Sequence, residues 1–143
     1  MQKSLGQCFG GAVIVCGTLL ALASSAHAQS VSLFIYADTV PVQARQMSAP
    51  QLIHIVNQGA AEATGLSVTF RAPKGAKVDT TCQEDHLPGG VRSYTCLVGS
   101  LGAGQNTDVT FSISMNKSGT ADIRVDATCD QESSGALLSI PIL

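Results

Sequence analysis

The chain has 143 residues, of which 13% are charged and 4% aromatic, with a formal net charge of -2. That length fits one domain. The absence of a basic excess argues against nucleic-acid binding, the low charge against a disordered chain, and a single long apolar run against a multi-span membrane protein.

The first stretch reads as an export signal. Lys3 supplies a positive start, residues from Phe9 to Ala23 are apolar or small, and Ala26-His27-Ala28 is a small-x-small site. Cleavage is therefore expected between Ala28 and Gln29. The run is shorter than the ~20 residues of a spanning helix, although an uncleaved anchor is the alternative. This divides the chain into a signal peptide, 1–28, and one domain, 29–143. Removing Lys3 takes one of 8 basic residues and none of 10 acidic ones, so the net charge moves from -2 to -3.

The remainder reads as consecutive strands. Val31, Leu33 and Ile35 alternate with Ser32, Phe34 and Tyr36; the segment Val40 to Pro50, with two prolines in it, is a connection. Leu52 to Val56 is a second strand, closed by the turn signal Asn57-Gln58-Gly59. Leu66, Val68 and Phe70 alternate with polar residues, a half-buried strand that Ala72-Pro73-Lys74-Gly75 ends. Lys77 to Thr81 is a short edge strand; Val91 to Val98 follows the Pro88-Gly89-Gly90 loop; Gly99 to Asn106 is a turn region. Two further alternating strands surround Val109 to Met115 and Ala121 to Thr128, and Leu137 to Ile142 is the last, with Pro141 marking an edge. No helical period of useful length follows Ala28; Ala60 to Thr64 allows one helical turn at most. Seven or eight short strands at this spacing predict an all-β antiparallel sandwich, with Pro73, Lys77 and Pro141 placed as edge protection.

Three segments carry a family resemblance: Leu52-Ile53-His54-Ile55-Val56-Asn57-Gln58-Gly59, then Ala63-Thr64-Gly65-Leu66-Ser67-Val68, then Ala72-Pro73-Lys74-Gly75. With Cys96-Leu97-Val98-Gly99-Ser100-Leu101-Gly102-Ala103-Gly104 downstream, the chain resembles the bacterial conserved-repeat domain, the domain of unknown function numbered eleven, over most of residues 33–130. It departs from that pattern at Ala72, where Leu is usual, and at Arg45-Gln46, where Gly is usual. The resemblance implies an immunoglobulin-like sandwich on bacterial envelope or secreted proteins, and it brings no catalytic residues.

Three cysteines lie beyond the signal: Cys82, Cys96 and Cys129. An odd number permits at most one internal pair. Cys82 and Cys96 bracket the Pro88-Gly89-Gly90 loop and are the expected disulfide, which an exported compartment allows to persist. Cys129 continues the inward parity of Ile123, Val125 and Ala127 and reads as an unpaired buried thiol; an intermolecular bond, or exchange with the other two, stays open.

Chemistry-bearing patterns are sparse. Glu84-Asp85-His86 lacks the fourth ligand a zinc site needs and reads as a solvated loop. His54, His86, Met47 and Met115 lack the short Cys-His spacing of a blue-copper site. No Gly-x-Ser-x-Gly elbow occurs, and Cys96 with His86 imitates a thiol nucleophile and base only if the disulfide is absent. Asn116-Lys117-Ser118 has the form of a glycosylation sequon. No catalytic, cofactor or metal residue is assigned. The expected function is a non-enzymatic structural or protein-interaction module, exported to the periplasm or beyond the cell; the alternative is a small periplasmic metal-binding protein or hydrolase.

One surface is singled out. If Ile53 and Ile55 face inward, then Leu52, His54 and Val56 form an outward row. It is either covered by Phe34 and Tyr36 alongside or open to a protein partner, which an exposed sheet edge would also accept. His54 in that row is placed to respond to pH. Neither nucleic acid nor, after signal removal, membrane is an expected partner.

Overall fold

The computed structural model describes residues 29–143, so the signal segment and the Ala28 side of its cleavage point lie outside the described residues. Nine strands form among the described residues: β1 (Leu33–Asp38), β2 (Gln51–Asn57), β3 (Ala63–Ala72), β4 (Lys77–Asp79), β5 (Gln83–Leu87), β6 (Val91–Leu101), β7 (Asn106–Ser114), β8 (Gly119–Thr128) and β9 (Ser133–Ile142). A four-stranded sheet runs β1-β2-β7-β4 and a five-stranded sheet runs β5-β6-β3-β8-β9, every pairing antiparallel. The result is an all-β, immunoglobulin-like sandwich. No helix among the described residues is long and apolar enough to cross a membrane.

The alternation read from the sequence is what buries the core. Ile53, Ile55, Val68, Phe70, Val109, Phe111, Ile113, Ile123 and Val125 all face the space between the sheets, each contributing about 1.5–3 kcal/mol by leaving water. Phe70 lies between Tyr94, 5.1 Å away in its own sheet, and Phe111, 5.0 Å away in the other. That aromatic contact joins the two layers at their centre.

Strand β2 carries a buried amide at each end, and each fixes a crossing loop. Gln51 Oε1 accepts from the Val40 amide at 2.8 Å while its Nε2 donates to the Val40 and Ala49 carbonyls. Asn57 Nδ2 donates to the Ala61 and Leu101 carbonyls, and its Oδ1 accepts from Gly59 N. A Cβ at Gly59 would run into the backbone of Ser30 and Ser32, so the turn signal Asn57-Gln58-Gly59 marks a close approach of two backbone segments. The connection from Val40 to Pro50 is also more than a link. Val42 is buried and bridges Ile142 in parallel, closing one side of the sandwich.

Three expectations need correction. The strand count is nine, because Gln83–Leu87, read as a solvated loop, is β5. None of its five side chains is buried, so it has no alternation to detect; it exists because it pairs with β6 across a hairpin turn. Pro73 follows β3, an interior strand, and guards no edge, whereas Lys77 on β4 and Pro141 on β9 do stand on edges. The region from Gly99 is still strand as far as Leu101, and the turn proper begins at Gly102.

Candidate functional site

The outward face of the four-stranded sheet brings together most of the side chains with chemistry to offer. The register pairs Phe34 with Val56, Tyr36 with His54 and Asp38 with Leu52; on the other flank of β2, His54 faces Asp108 and Leu52 faces Thr110. Leu52, His54 and Val56 are half-buried, and Phe34 and Tyr36 lie alongside them. Yet Phe34 remains 49% exposed and Tyr36 43%. The aromatic pair therefore extends the row sideways and also covers its middle, where the Tyr36 ring lies on His54 and leaves that side chain 11% exposed. The two rings are 6.0 Å apart at an interplanar angle of 29°.

At the centre sits His54. Its Nδ1 is 2.6 Å from Asp108 Oδ1 and its Nε2 is 2.9 Å from Asp38 Oδ2. The Tyr36 ring stacks on the imidazole at 4.6 Å between centroids. Two carboxylates, one on each ring nitrogen, match an imidazolium that donates both its N–H groups. The hydrogen bond to Asp108 does most to raise the His54 pKa above 6.5; partial burial opposes this, and Asp38 adds to the rise.

This arrangement limits the chemistry available. As an imidazolium donating to both carboxylates, the ring has no lone pair to take a proton from a nucleophile or to bind a metal. When protonated it is a charge under an aromatic ring, a contact of cation–π type. Among the described residues no group of three or more His, Cys, Asp and Glu is arranged to hold a metal ion.

The other residues singled out by sequence lie elsewhere. Cys82 and Cys96 are joined, with Cα atoms 4.7 Å apart, at the open end of the β5–β6 hairpin. The bond sits on the core side, since Cys96 faces buried Val68. It fastens an edge strand that packing does not hold, and closing a loop of this size contributes about 3 kcal/mol in the chain-entropy account. Cys129 is free and buried. His86 is on β5, largely exposed and 3.9 Å from Glu84, whose carboxylate is 3.3 Å from Arg92. His54 and His86 thus belong to different sheets. Asn116-Lys117-Ser118 lies in the exposed β7–β8 turn.

Sequence reading missed the two carboxylates. Asp38 is 16 residues from His54 and Asp108 is 54 residues away; only the strand register joins them. It also missed Tyr94, which is 2% exposed with a hydroxyl that has no hydrogen-bond partner among the described residues. Burial raises its pKa, and an unpaired buried hydroxyl costs about 1–3 kcal/mol.

No protein-family model matches the chain, and no curated protein matches it. Solved structures do. The CARDB domain of a Pyrococcus furiosus protein, crystallised in complex with di-metal ions, superposes with a TM-score of 0.54 at 15% identity, covering 80% of this chain and 89% of that one. Its solution NMR structure gives 0.55 at 14% identity, covering 81% and 98%. At such identities the likeness shows the fold alone.

Proposed function

We propose that this chain is an exported, non-enzymatic interaction module that meets a protein partner through the outward face of its four-stranded sheet. The observation that carries the reading is the stacked, exposed Phe34–Tyr36 pair continuing into half-buried Val56 and Leu52. Exposed aromatic residues are enriched in protein contact surfaces, where charged groups stand at the rim. The opposite outward face has no such row: its large exposed apolar residues, Leu97 and Leu137, stand on β6 and β9 with β3 and β8 between them.

Export is supported by the leader pattern of residues 1–28 and by the Cys82–Cys96 bond, which reducing compartments disfavour. The resemblance to the conserved-repeat domain supports the cell envelope as the place of action. Against the metal-carrier or hydrolase alternative stands His54, with both ring nitrogens committed to carboxylates.

The test is site-specific photo-cross-linking in cells expressing the full chain. A cross-linker at position 36 is expected to trap a discrete envelope protein, while one at position 97 traps none. The same products from both positions, or a chain that stays in the cytoplasm, would overturn the reading.

A further inference from the structure

Charge is segregated along the length of the sandwich. At one end, the loops 58–62, 102–105 and 129–132 carry Glu62, Asp130 and Glu132 and no lysine or arginine. At the other, the loops 39–50, 73–76, 88–90 and 115–118 carry Arg45, Lys74 and Lys117 and no acidic residue. Lys77 opens β4 and Arg92 is the second residue of β6, so both join this second end. In a chain with more acidic than basic residues, five cations gathered at one pole call for a physical account.

The local geometry concentrates three of them. Ala76 N donates to Pro73 O at 3.1 Å and Gly75 has a φ of 88°, which makes Pro73-Lys74-Gly75-Ala76 a type II turn with Lys74 at its exposed apex. The β5–β6 turn comes up beside it: a Cβ on Gly90 would lie 3.8 Å from the Lys74 Cε. Between the two turns is an open depression of about 340 Å³ lined by Lys74, Lys77 and Arg92 with Pro73, Gly75 and Gly90. A second depression shares Lys74 and Gly75 and adds Lys117, and Arg45 N donates to Met115 O beside it. Opposing charge at this end comes from four carboxylates: Glu84, which pairs with Arg92 at 3.3 Å; Asp79, exposed two residues beyond Lys77; Asp85, opposite Ser93; and Asp38, which closes β1 and bonds His54. Lys74, Lys77 and Lys117 have no ion-pair partner among the described residues.

We propose that this basic pole is a binding site for phosphate-bearing anions, with Lys74, Lys77 and Arg92 as the contacts in the depression and Lys117 and Arg45 at its rim. A phosphate spreads its charge over several oxygens and accepts donors from several directions. Two point-charge ammonium groups and one guanidinium fork, arriving from three strands and turns, match that demand. The acidic far pole turns the same field toward the ligand and orients the molecule as it approaches. This site is independent of the aromatic face and stands or falls without it.

The test uses the disulfide-bonded protein and two probes, inorganic pyrophosphate followed by amide chemical shifts and phosphatidylcholine vesicles with or without phosphatidylglycerol. Pyrophosphate is expected to shift the amides of residues 73–77, 90–92 and 115–118 saturably. Each lysine reversed should weaken binding at least about fivefold, so Lys74→Glu with Lys77→Glu should weaken it at least about 25-fold. Both side chains are exposed, so the variant keeps its fold. Arg124→Gln, a cation removed from the outer face of β8, is expected to leave affinity unchanged. Retention on phosphatidylglycerol vesicles, competed by pyrophosphate, would support the site with a lipid headgroup as its ligand; pyrophosphate binding without retention would support it with a soluble phosphate. Three results would overturn the proposal: no localised shifts with pyrophosphate together with no retention on phosphatidylglycerol vesicles, an equal loss in Arg124→Gln, or citrate binding as tightly as pyrophosphate.

Discussion

Strand β2 has a neighbour on each side and buries four of its seven side chains, whereas β5 has one neighbour and buries none of its five. The first is held by packing and by the amides of Gln51 and Asn57; the second is held by its ladder to β6 and by the Cys82–Cys96 bond. The difference teaches where function can be placed cheaply. A strand whose inner face is locked by the core can spend its outer face on a charged, aromatic surface, and β2 does so at His54. A strand with no inner face has only its ladder to one neighbour and its covalent tie to keep it ordered.

The largest effect should come from cutting into that lock. Ile53→Ala is expected to lower stability by about 2–5 kcal/mol in urea unfolding, and a cost below about 1 kcal/mol would show that β2 is not held by packing. Next, Cys82→Ser with Cys96→Ser should cost about 3 kcal/mol, and hydrogen exchange should quicken first at the amides of β5. Equal acceleration across β2 would erase the distinction between the two strands.

A smaller effect belongs to His54. Its pKa is raised on folding, so protonation favours the folded state. That contribution is complete below the unfolded pKa of about 6.5 and is lost as pH rises through the higher folded value. Thermal stability should accordingly carry a component that declines through this window and that His54→Gln removes; an unchanged profile in that variant would assign the pH dependence elsewhere. Smallest of all, Phe34→Ser should change stability by no more than about 0.5 kcal/mol, since its ring is already half in water. A larger loss would make the aromatic row part of the fold and not a free surface.

The same contrast explains what could be read from residues alone. Period-2 alternation is written by burial on one face, so β2, β3, β7 and β8 announce themselves, and the outward parity of Leu52, His54 and Val56 follows from that of Ile53 and Ile55. Gln83–Leu87 is invisible by the same rule, because nothing about its side chains distinguishes it from a loop. His54 could be placed on a face, but its carboxylate partners could not, since Asp38 and Asp108 arrive on different strands whose offset depends on register. The basic pole was equally out of reach. Its cations are scattered from Arg45 to Lys117 and meet only when four separate connections are brought to one end.

The two tyrosines of this chain, which has no tryptophan, occupy opposite environments. Tyr94 is sealed in the core against Phe70, and Tyr36 lies on the surface over His54. Ultraviolet emission from the native protein is therefore a sum of two channels, one reporting the integrity of the interior and one reporting the aromatic face. Global unfolding disturbs both, whereas titration of His54 or occupancy of the outer sheet disturbs only the second. Tyr36→Phe removes that channel, so the protein carries its own optical means of telling a surface event from a loss of structure.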